Sequence, residues 1–158
     1  SGVPPSVGIT ELTSTCEAAI LRIQPLADSK DIRIEFTSGA PAYTRADPAD
    51  LELIWVNLLE NAVQYSPPGS QVVLRIENGT AITSVFVEDS GPGIPPEHAE
   101  RIFERFRRGD PSRARGTGGF GLGLAICKAL AEVYGGNIQA VNRVAAGTQF
   151  RVQLPVGP

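Results

Sequence analysis

The order of four short motifs constrains this chain more than any other feature of its sequence. The 68 residues from Asn57 to Leu124 contain an N-x-x-x-N pair, the run Asp89-Ser-Gly-Pro-Gly93, a Phe-x-x-Phe-Arg-Arg segment ending at Arg108, and a glycine-rich run at 118–124. Amide oxygens, a carboxylate, guanidinium groups and glycine backbone can bind the cation, base and phosphates of a nucleotide. The order and spacing of the motifs therefore predict one nucleotide pocket.

The length and composition indicate one folded domain. The 158 residues can bury a substantial core but are few for two domains, so we expect 1–158 to be a single domain with 1–8 as a flexible tail. Charged residues make up 20% and hydrophobic residues 42%, and we expect a soluble chain without a membrane span or signal peptide. The lack of methionine and the start at Ser1-Gly2 predict either a piece cut from a larger protein or the remnant of a cleaved tag.

Positive charge is concentrated in one segment, although the net charge is −3. Six of the twelve arginines lie close together, namely Arg101, Arg105, Arg107, Arg108, Arg113 and Arg115. A solvated helix face is one explanation, because charge runs usually face solvent. The adjacent glycine-rich run favours a segment that binds phosphate.

Hydrophobic periodicity predicts an α/β fold. Helices are predicted at 10–29, 47–65, 97–106 and 121–134, and strands at 32–36, 42–45, 72–76, 82–87, 138–142 and 149–154. Asn78-Gly79 is a strong hairpin signal between two of these strands, and Gly135-Gly136 ends the last helix. We expect a two-layer α/β sandwich with a mixed, mostly antiparallel sheet of about five strands and three main helices on one face.

The helix predicted at 47–65 has one apolar and one polar face. At about 100° per residue, the apolar face carries Leu51, Ile54, Trp55, Leu58 and Ala62, and the polar face carries Asn57, Asn61 and Gln64. Asparagine is a weak helix former, so two asparagines four residues apart in the middle of a helix indicate a role other than helix formation. Their neutral amide oxygens can ligate Mg²⁺. An exposed polar face is the alternative.

Asp89 and the second glycine-rich run have both a binding and a structural explanation. Asp89 follows a predicted strand, where its carboxylate can accept an exocyclic amine proton of a base or stabilise its own turn. Three alternate glycines at 119, 121 and 123 lead into an apolar helix, so backbone N–H groups can point at phosphates. The Lys-Ser/Thr of a Walker-type loop does not follow them.

These residues together resemble the catalytic ATP-binding domain of sensor histidine kinases, within the superfamily of gyrase, heat-shock-chaperone and mismatch-repair ATPases. The resemblance covers nearly the whole chain. Residues 57–66 are similar to the family's asparagine box, 89–93 to its first glycine box, 102–108 to its phenylalanine box, 119–124 to its second glycine box, and 147–148 to its terminal glycine-threonine pair. Five boxes in the family's order make the resemblance specific.

The resemblance implies a site for ATP and Mg²⁺. Asn61 would ligate Mg²⁺ with Asn57 beside it, Asp89 would bind the adenine amine, and Tyr65 and Ile94 would line the base pocket. Arg108 and the glycine-box amides would hold phosphates, and residues 107–119 would form a mobile ATP lid. The implied catalytic residues are Asn57, Glu60 and Arg108, and the implied nucleotide-binding residues are Asn61, Gln64, Tyr65, Asp89, Gly91, Gly93, Ile94, Arg107, Gly119, Gly121, Leu122, Gly123, Leu124 and Thr148.

Two positions depart from the family's usual pattern. Gln64 stands where the family usually has Lys or Arg to touch a phosphate. Because charge-assisted hydrogen bonds are stronger than neutral ones, this predicts weaker ATP binding unless Arg107 supplies the missing charge. Phe120 stands where a small hydroxyl residue is commoner.

Asn57 also stands where hydrolysing members of the superfamily place a glutamate base. An amide cannot take a proton from water, whereas a neutral imidazole has a lone pair available near pH 7. The resemblance therefore implies phosphoryl transfer to a histidine, with Glu60 as an assisting residue. His98, the one histidine of the chain, lacks the context of a family phosphoacceptor and is expected at the surface.

The resemblance implies partners outside this chain. They are an upstream dimerisation domain that carries the phosphoacceptor histidine and the receiver domain of a response regulator, with no nucleic acid. The full-length protein is expected to be a homodimer in the bacterial inner membrane, with this piece as a monomeric cytoplasmic domain.

Other functions stay open. An anti-sigma-type serine kinase would be favoured if no upstream helical pair carried an acceptor histidine. An ATP-free interaction module would be favoured if the chain failed to bind ATP. A gyrase-type ATPase is disfavoured because Asn57 replaces its base.

Overall fold

The computed structural model describes residues 7–95, 101–104, 123–143 and 146–157. The helices in this part of the chain are α1 (Leu12–Ser29), α2 (Pro48–Tyr65) and α3 (Leu124–Val133). The strands are β1 (Ile9–Glu11), β2 (Arg33–Thr37), β3 (Tyr43–Arg45), β4 (Gln71–Glu77), β5 (Ile82–Glu88), β6 (Asn137–Asn142) and β7 (Thr148–Pro155). No helix in the described residues is long and apolar enough to cross a membrane.

Five strands form one mixed sheet in the order β2-β4-β5-β7-β6. β2 and β4 run parallel, whereas β4–β5, β5–β7 and β7–β6 are antiparallel. β1 and β3 form a separate antiparallel pair. The ends of β5, β6 and β7 meet because Glu88 pairs with Gln149 and Asn142 pairs with Thr148.

The helices cover one face of the sheet. α2 packs against α1, α3, β4 and β5, and α3 also packs against β6 and β7. Side chains alternate along β7 between buried and half-buried positions, as expected for a strand with one covered face. The predicted two-layer α/β sandwich with a five-stranded mixed sheet and three main helices is therefore confirmed.

Both ends of α2 are fixed by polar contacts. At its start, Pro48 occupies the first turn and the Asp47 carboxylate accepts a hydrogen bond from the backbone N–H of Ala49 (2.9 Å). At its end, the ammonium of Lys30 donates to three carbonyl oxygens, those of Val63 (3.0 Å), Gln64 (2.7 Å) and Ser66 (3.0 Å). A cation at a helix C-terminus also interacts favourably with the helix dipole.

The first helix begins later than predicted. Residues Ile9–Glu11 are strand, because Thr10 pairs with Thr44 of β3, and the helix starts at Leu12. The Glu11 carboxylate accepts hydrogen bonds from the backbone N–H groups of Thr13 (2.9 Å) and Ser14 (3.2 Å). These N–H groups have no partner inside the helix, so the carboxylate fixes where the helix begins.

Parts of two other predicted helices lie outside the described residues. Of the helix predicted at 97–106, only 101–104 are described, and they form a turn in which the Glu104 N–H donates to the Arg101 carbonyl oxygen (2.9 Å). The predicted start of the last helix, residue 121, also lies outside the described residues. Within them, α3 begins at Leu124.

We expect Leu58→Ala to lower the free energy of unfolding by about 2–5 kcal/mol, because Leu58 is 0% exposed and its loss leaves a cavity in the core. Urea unfolding followed by circular dichroism measures the change. The matched control is Leu21→Ala on α1, where the side chain is 76% exposed and the same change should cost within about 0.5 kcal/mol. Equal losses in both variants would contradict the assigned core.

Candidate functional site

A cavity of about 480 Å³ lies between the C-terminal half of α2, the segment that follows β5, and the ends of β6 and β7. This volume is within the range of about 300–1,000 Å³ that is usual for small-molecule sites. The residues that line it are Asn61, Tyr65, Asp89, Pro92, Gly93, Ile94, Pro95, Asn142, Thr148 and Phe150. Six of them were predicted as site residues from the sequence.

Asp89 is buried at the cavity wall, with 3% of its surface exposed. Its Oδ1 accepts hydrogen bonds from the backbone N–H groups of Gly91 (2.8 Å) and Thr148 (3.1 Å). Burial raises the pKa of the Asp89 carboxyl above its ordinary value, while these two N–H groups and the charge of Arg143 act to lower that pKa. Both hydrogen bonds use Oδ1, so Oδ2 remains free of these two donors and can serve as an acceptor for a ligand.

Two glycines allow the backbone to close around Asp89. A Cβ at Gly91 would stand 2.4 Å from the Tyr65 carbonyl oxygen, and a Cβ at Gly147 would stand 2.0 Å from the Asp89 carbonyl oxygen. Gly147 also has φ +100, which side chains disfavour. Gly91 in the predicted first glycine box and Gly147 in the terminal pair are therefore required by close packing around Asp89.

Asn61 lines the cavity and has a buried, unsatisfied oxygen. The residue is 4% exposed, and its buried Oδ1 has no hydrogen-bond partner among the described residues. A buried polar atom without a partner is costly and is seldom retained without a function. A neutral amide oxygen is a suitable ligand for Mg²⁺, so Asn61 fits the predicted metal role. Among the described residues, no three His, Cys, Asp or Glu side chains form a cluster that could hold a metal ion. A metal ion at Asn61 would therefore also need oxygen atoms from the bound molecule.

Three predicted site residues on α2 do not line the described cavity. Half-buried Asn57 donates a hydrogen bond from Nδ2 to the Leu53 carbonyl oxygen (2.8 Å). Glu60 and Gln64 line a separate depression of about 190 Å³ together with Leu26 and Lys30. The roles of Asn57, Glu60 and Gln64 in binding or catalysis stay predictions.

Asn57 lies close to the start of α3. A Cβ on Gly123 would stand 2.6 Å from Asn57 Oδ1, so glycine at 123 lets the helix start approach the asparagine. Leu124, the first residue of α3, is fully buried. The structure therefore brings together one residue of the asparagine box and the end of the second glycine box.

Apolar residues form another part of the cavity wall. Ile94 is 6% exposed and follows Gly93, whose φ is +87. Phe150 of β7 is 1% exposed and makes an edge-on contact with Phe103, at 6.1 Å between ring centroids. The contact joins the predicted phenylalanine box to the cavity wall.

The remaining predicted positions lie outside the described residues. They are Arg107, Arg108, Gly119, Gly121 and Leu122, together with Phe120, His98 and all of the predicted lid at 107–119. Their roles stay predictions.

Sequence reasoning missed several residues that line the cavity or hydrogen-bond to its wall. Asn142 and Phe150 line it, as do Pro92 and Pro95. Arg143 donates a hydrogen bond from Nη1 to the Asp89 carbonyl oxygen (2.7 Å). One signal could have indicated Asn142 and Arg143. When β6 pairs with β7, the end of β6 lies beside the glycine-threonine pair of the site.

Comparisons with known proteins agree with this geometry. Residues 46–158 match the family described as histidine kinase-, DNA gyrase B- and HSP90-like ATPases. The sensor-like histidine kinase SenX3 of Mycobacterium tuberculosis is 37% identical over 151 residues, which are 96% of this chain and 37% of SenX3. The sensor histidine kinase CusS of Escherichia coli O157:H7 is 39% identical over 132 residues, which are 84% of this chain and 27% of CusS.

A solved structure matches over nearly its full length. The mycobacterial sensor histidine kinase MprB superposes with a TM-score of 0.82 and 30% identity, covering 96% of this chain and 99% of that one. The chain therefore belongs to the histidine kinase-, DNA gyrase B- and HSP90-like ATPase family, as an ATP-binding catalytic domain of the sensor histidine kinase type. It spans little more than a third of the length of SenX3 and about a quarter of CusS.

We expect the stability of the ligand-free protein to depend on pH through Asp89. Since its folded-state pKa is raised, the stability that this carboxyl contributes is complete below the ordinary value of 3.8 and is lost as pH rises through the folded-state pKa. In Asp89→Asn the side chain does not titrate. Urea unfolding from pH 3 to pH 8 should therefore show the variant gaining stability relative to wild type as pH rises. Parallel curves would exclude a raised pKa at Asp89.

Proposed function

We propose that this domain binds Mg-ATP and donates the γ-phosphoryl group to a histidine on a dimerisation domain that lies outside this chain. The observation that carries the proposal is that Asp89 and Asn61 line the same cavity, while Gly91 and Thr148 use only Oδ1 of Asp89 and Asn61 Oδ1 has no partner among the described residues. Mg-ATP has an amine donor on its adenine and a cation at its phosphates. Its two ends therefore match these two acceptors.

Asp89 would select the base. Its Oδ1 is held by two backbone N–H groups, so the carboxylate orientation is set before a ligand enters. Oδ2 would accept a hydrogen bond from the exocyclic amine of adenine, while Ile94 and Tyr65 would lie against the ring. A preset acceptor loses little conformational freedom on binding, which favours affinity.

Asn61 would ligate Mg²⁺ together with phosphate oxygens, with Asn57 one turn earlier on α2. The ion would neutralise the negative charge of the phosphates when bound. In the predicted lid, Arg107 and Arg108 would supply further positive charge, which Gln64 cannot. Gly119, Gly121, Leu122, Gly123 and Leu124 would present backbone N–H groups to the phosphates at the start of α3.

The reaction would be transfer of the γ-phosphoryl group to an imidazole nitrogen and not hydrolysis of ATP. A neutral imidazole nitrogen forms the new N–P bond, the bond between the γ-phosphorus and the β–γ bridging oxygen breaks, and ADP leaves while the imidazole gives up its N–H proton. Asn57 cannot act as a base for water. Catalysis would then consist of positioning and charge neutralisation, with Glu60 as an assisting residue.

The whole protein would be a protein-histidine kinase of a two-component system. We infer a homodimer anchored in the bacterial inner membrane, with this domain in the cytoplasm, and a response regulator receiver domain as the next phosphate acceptor. The names of SenX3 and CusS support the kinase assignment. The solved structure of ShkA, 26% identical with a TM-score of 0.82, was determined in complex with AMPPNP, which supports an ATP site in this fold.

Asp89→Asn should weaken ATP binding by about tenfold or more. The amide oxygen of the variant would keep the hydrogen bonds from Gly91 and Thr148, so its NH₂ group would face the adenine amine, donor against donor. Calorimetric titration of the chain with ATP and ADP measures the loss. The matched control is Asp47→Asn at the start of α2, where asparagine caps a helix equally well.

A wild-type chain that binds neither ATP nor ADP, with or without Mg²⁺, would overturn the proposed function. The outcome would instead favour an interaction module of the same fold that does not use ATP. Binding that survives in Asp89→Asn would remove Asp89 from the base site.

We expect Asn61→Ala to lose the part of ATP affinity that depends on Mg²⁺, because the variant lacks the amide oxygen that would ligate the ion. Titrations of ATP with Mg²⁺ and with EDTA measure this part. ATP affinity in EDTA should change by less than about threefold, since base recognition by Asp89 is untouched. An unchanged Mg²⁺ dependence in Asn61→Ala would assign the metal to other groups.

A further inference from the structure

The end of β6 holds the segment between Asp89 and Ile94 from one side of the cavity. Nη1 of Arg143 donates a hydrogen bond to the Asp89 carbonyl oxygen (2.7 Å). The side-chain amide of Asn142 makes two hydrogen bonds to the backbone of Ile94. Oδ1 accepts from the Ile94 N–H (2.7 Å), and Nδ2 donates to the Ile94 carbonyl oxygen (3.1 Å). Two consecutive side chains thus fix the two ends of the segment.

Hydrogen bonds from described residues converge on Asp89. Its backbone N–H donates to the Thr148 carbonyl oxygen (3.0 Å), its carbonyl oxygen accepts from Arg143, and its Oδ1 accepts from the N–H groups of Gly91 and Thr148. Backbone and carboxylate are therefore both oriented, and Oδ2 is left to accept a hydrogen bond from a ligand. A guanidinium donor makes the bond to the carbonyl oxygen stronger than a neutral donor would.

The segment after Asp89 has no strand pairing of its own, so side chains take over that role. Residues 89–95 belong to no helix or strand. The Asn142 amide pairs with the Ile94 backbone in the way that a neighbouring strand would. Gly93 keeps this approach open, since a Cβ there would stand 2.8 Å from Asn142 Oδ1.

We propose that Arg143 and Asn142 are positioning residues of the base site, Arg143 for the amine acceptor Asp89 and Asn142 for the apolar wall at Ile94. The proposal rests on the proposed function, because it assumes an adenine nucleotide in the cavity. It assigns separate effects to the two residues. Loss of Arg143 reduces the preference for a base with an exocyclic amine, whereas loss of Asn142 weakens binding of any purine.

The charge of Arg143 adds to this effect. Burial raises the pKa of Asp89, and the nearby guanidinium acts in the opposite direction. An ionised carboxylate is the stronger acceptor for an amine proton. Removal of Arg143 therefore weakens the acceptor in two ways, through its orientation and through its charge.

The test compares ATP with inosine triphosphate, which carries a carbonyl oxygen where adenine carries the amine. Calorimetry on the 158-residue chain should give a preference for ATP of about tenfold or more in wild type. Arg143→Met keeps the aliphatic stem and removes the donor and the charge. It should reduce the preference at least about threefold, mainly through weaker ATP binding, while inosine triphosphate affinity changes by less than about twofold.

Asn142→Ala should weaken both nucleotides by a similar factor and leave their ratio unchanged. Arg143→Lys, which restores a charged donor, should recover part of the ATP preference. The matched control is Arg33→Met. Arg33 is exposed on β2, the edge strand opposite β6, and its side chain donates a hydrogen bond to Gln71 (3.2 Å). Urea unfolding of every variant verifies that affinity is compared between folded chains.

An ATP preference that is equal in wild type and Arg143→Met would overturn the role of Arg143, and the proposed function would stand. Unchanged affinities in Asn142→Ala would overturn the role of Asn142 in the same way. A wild type that binds neither nucleotide would overturn the proposed function and, with it, this inference.

Discussion

Burial of one face of α2 is the interaction on which the rest of the structure depends. Trp55, Leu58, Leu59 and Ala62 are fully buried in the core, and the helix packs against α1, α3 and the sheet. Fully burying a large apolar side chain contributes about 1.5–3 kcal/mol, so several on one face fix the rotation of the helix about its axis. That rotation directs Asn61 to the cavity. The same helix therefore builds the core and positions a ligand-binding group.

The second constraint is the way in which the sheet ends around Asp89. β5 leads directly into Asp89, and the β7 residue Thr148 supplies one of the N–H groups that hold the carboxylate. Gly91 and Gly147 permit contacts that a side chain would block. The site is thus formed where adjacent strands end, and the Asp89 carboxylate is oriented by backbone N–H groups, one of them from Thr148 of β7.

Much of the fold followed from local pattern, and the errors arose where distant pairing decided. The strands at 72–76 and 82–87 were predicted within about one residue because alternation and Asn78-Gly79 are local signals. Thr10 was wrongly assigned to a helix because it directly precedes the helical periodicity that begins at Leu12, whereas pairing with Thr44 makes it strand. Asp89 and Asn61 were predicted as site residues from their motifs. Asn142 and Arg143 were missed because their partners lie 48 and 54 residues earlier.

The sequence by itself determined the class of this domain, because its five motifs stand in the order in which the family has them and can be seen without coordinates. It also determined which face of α2 is buried, since helical periodicity follows from the covalent geometry of the chain. Tertiary structure alone decided which acceptors are already used within the protein and which are left for a ligand. Two backbone N–H groups donate to Asp89 Oδ1, and Asn61 Oδ1 has no partner among the described residues, because only folding decides which groups come within hydrogen-bonding distance.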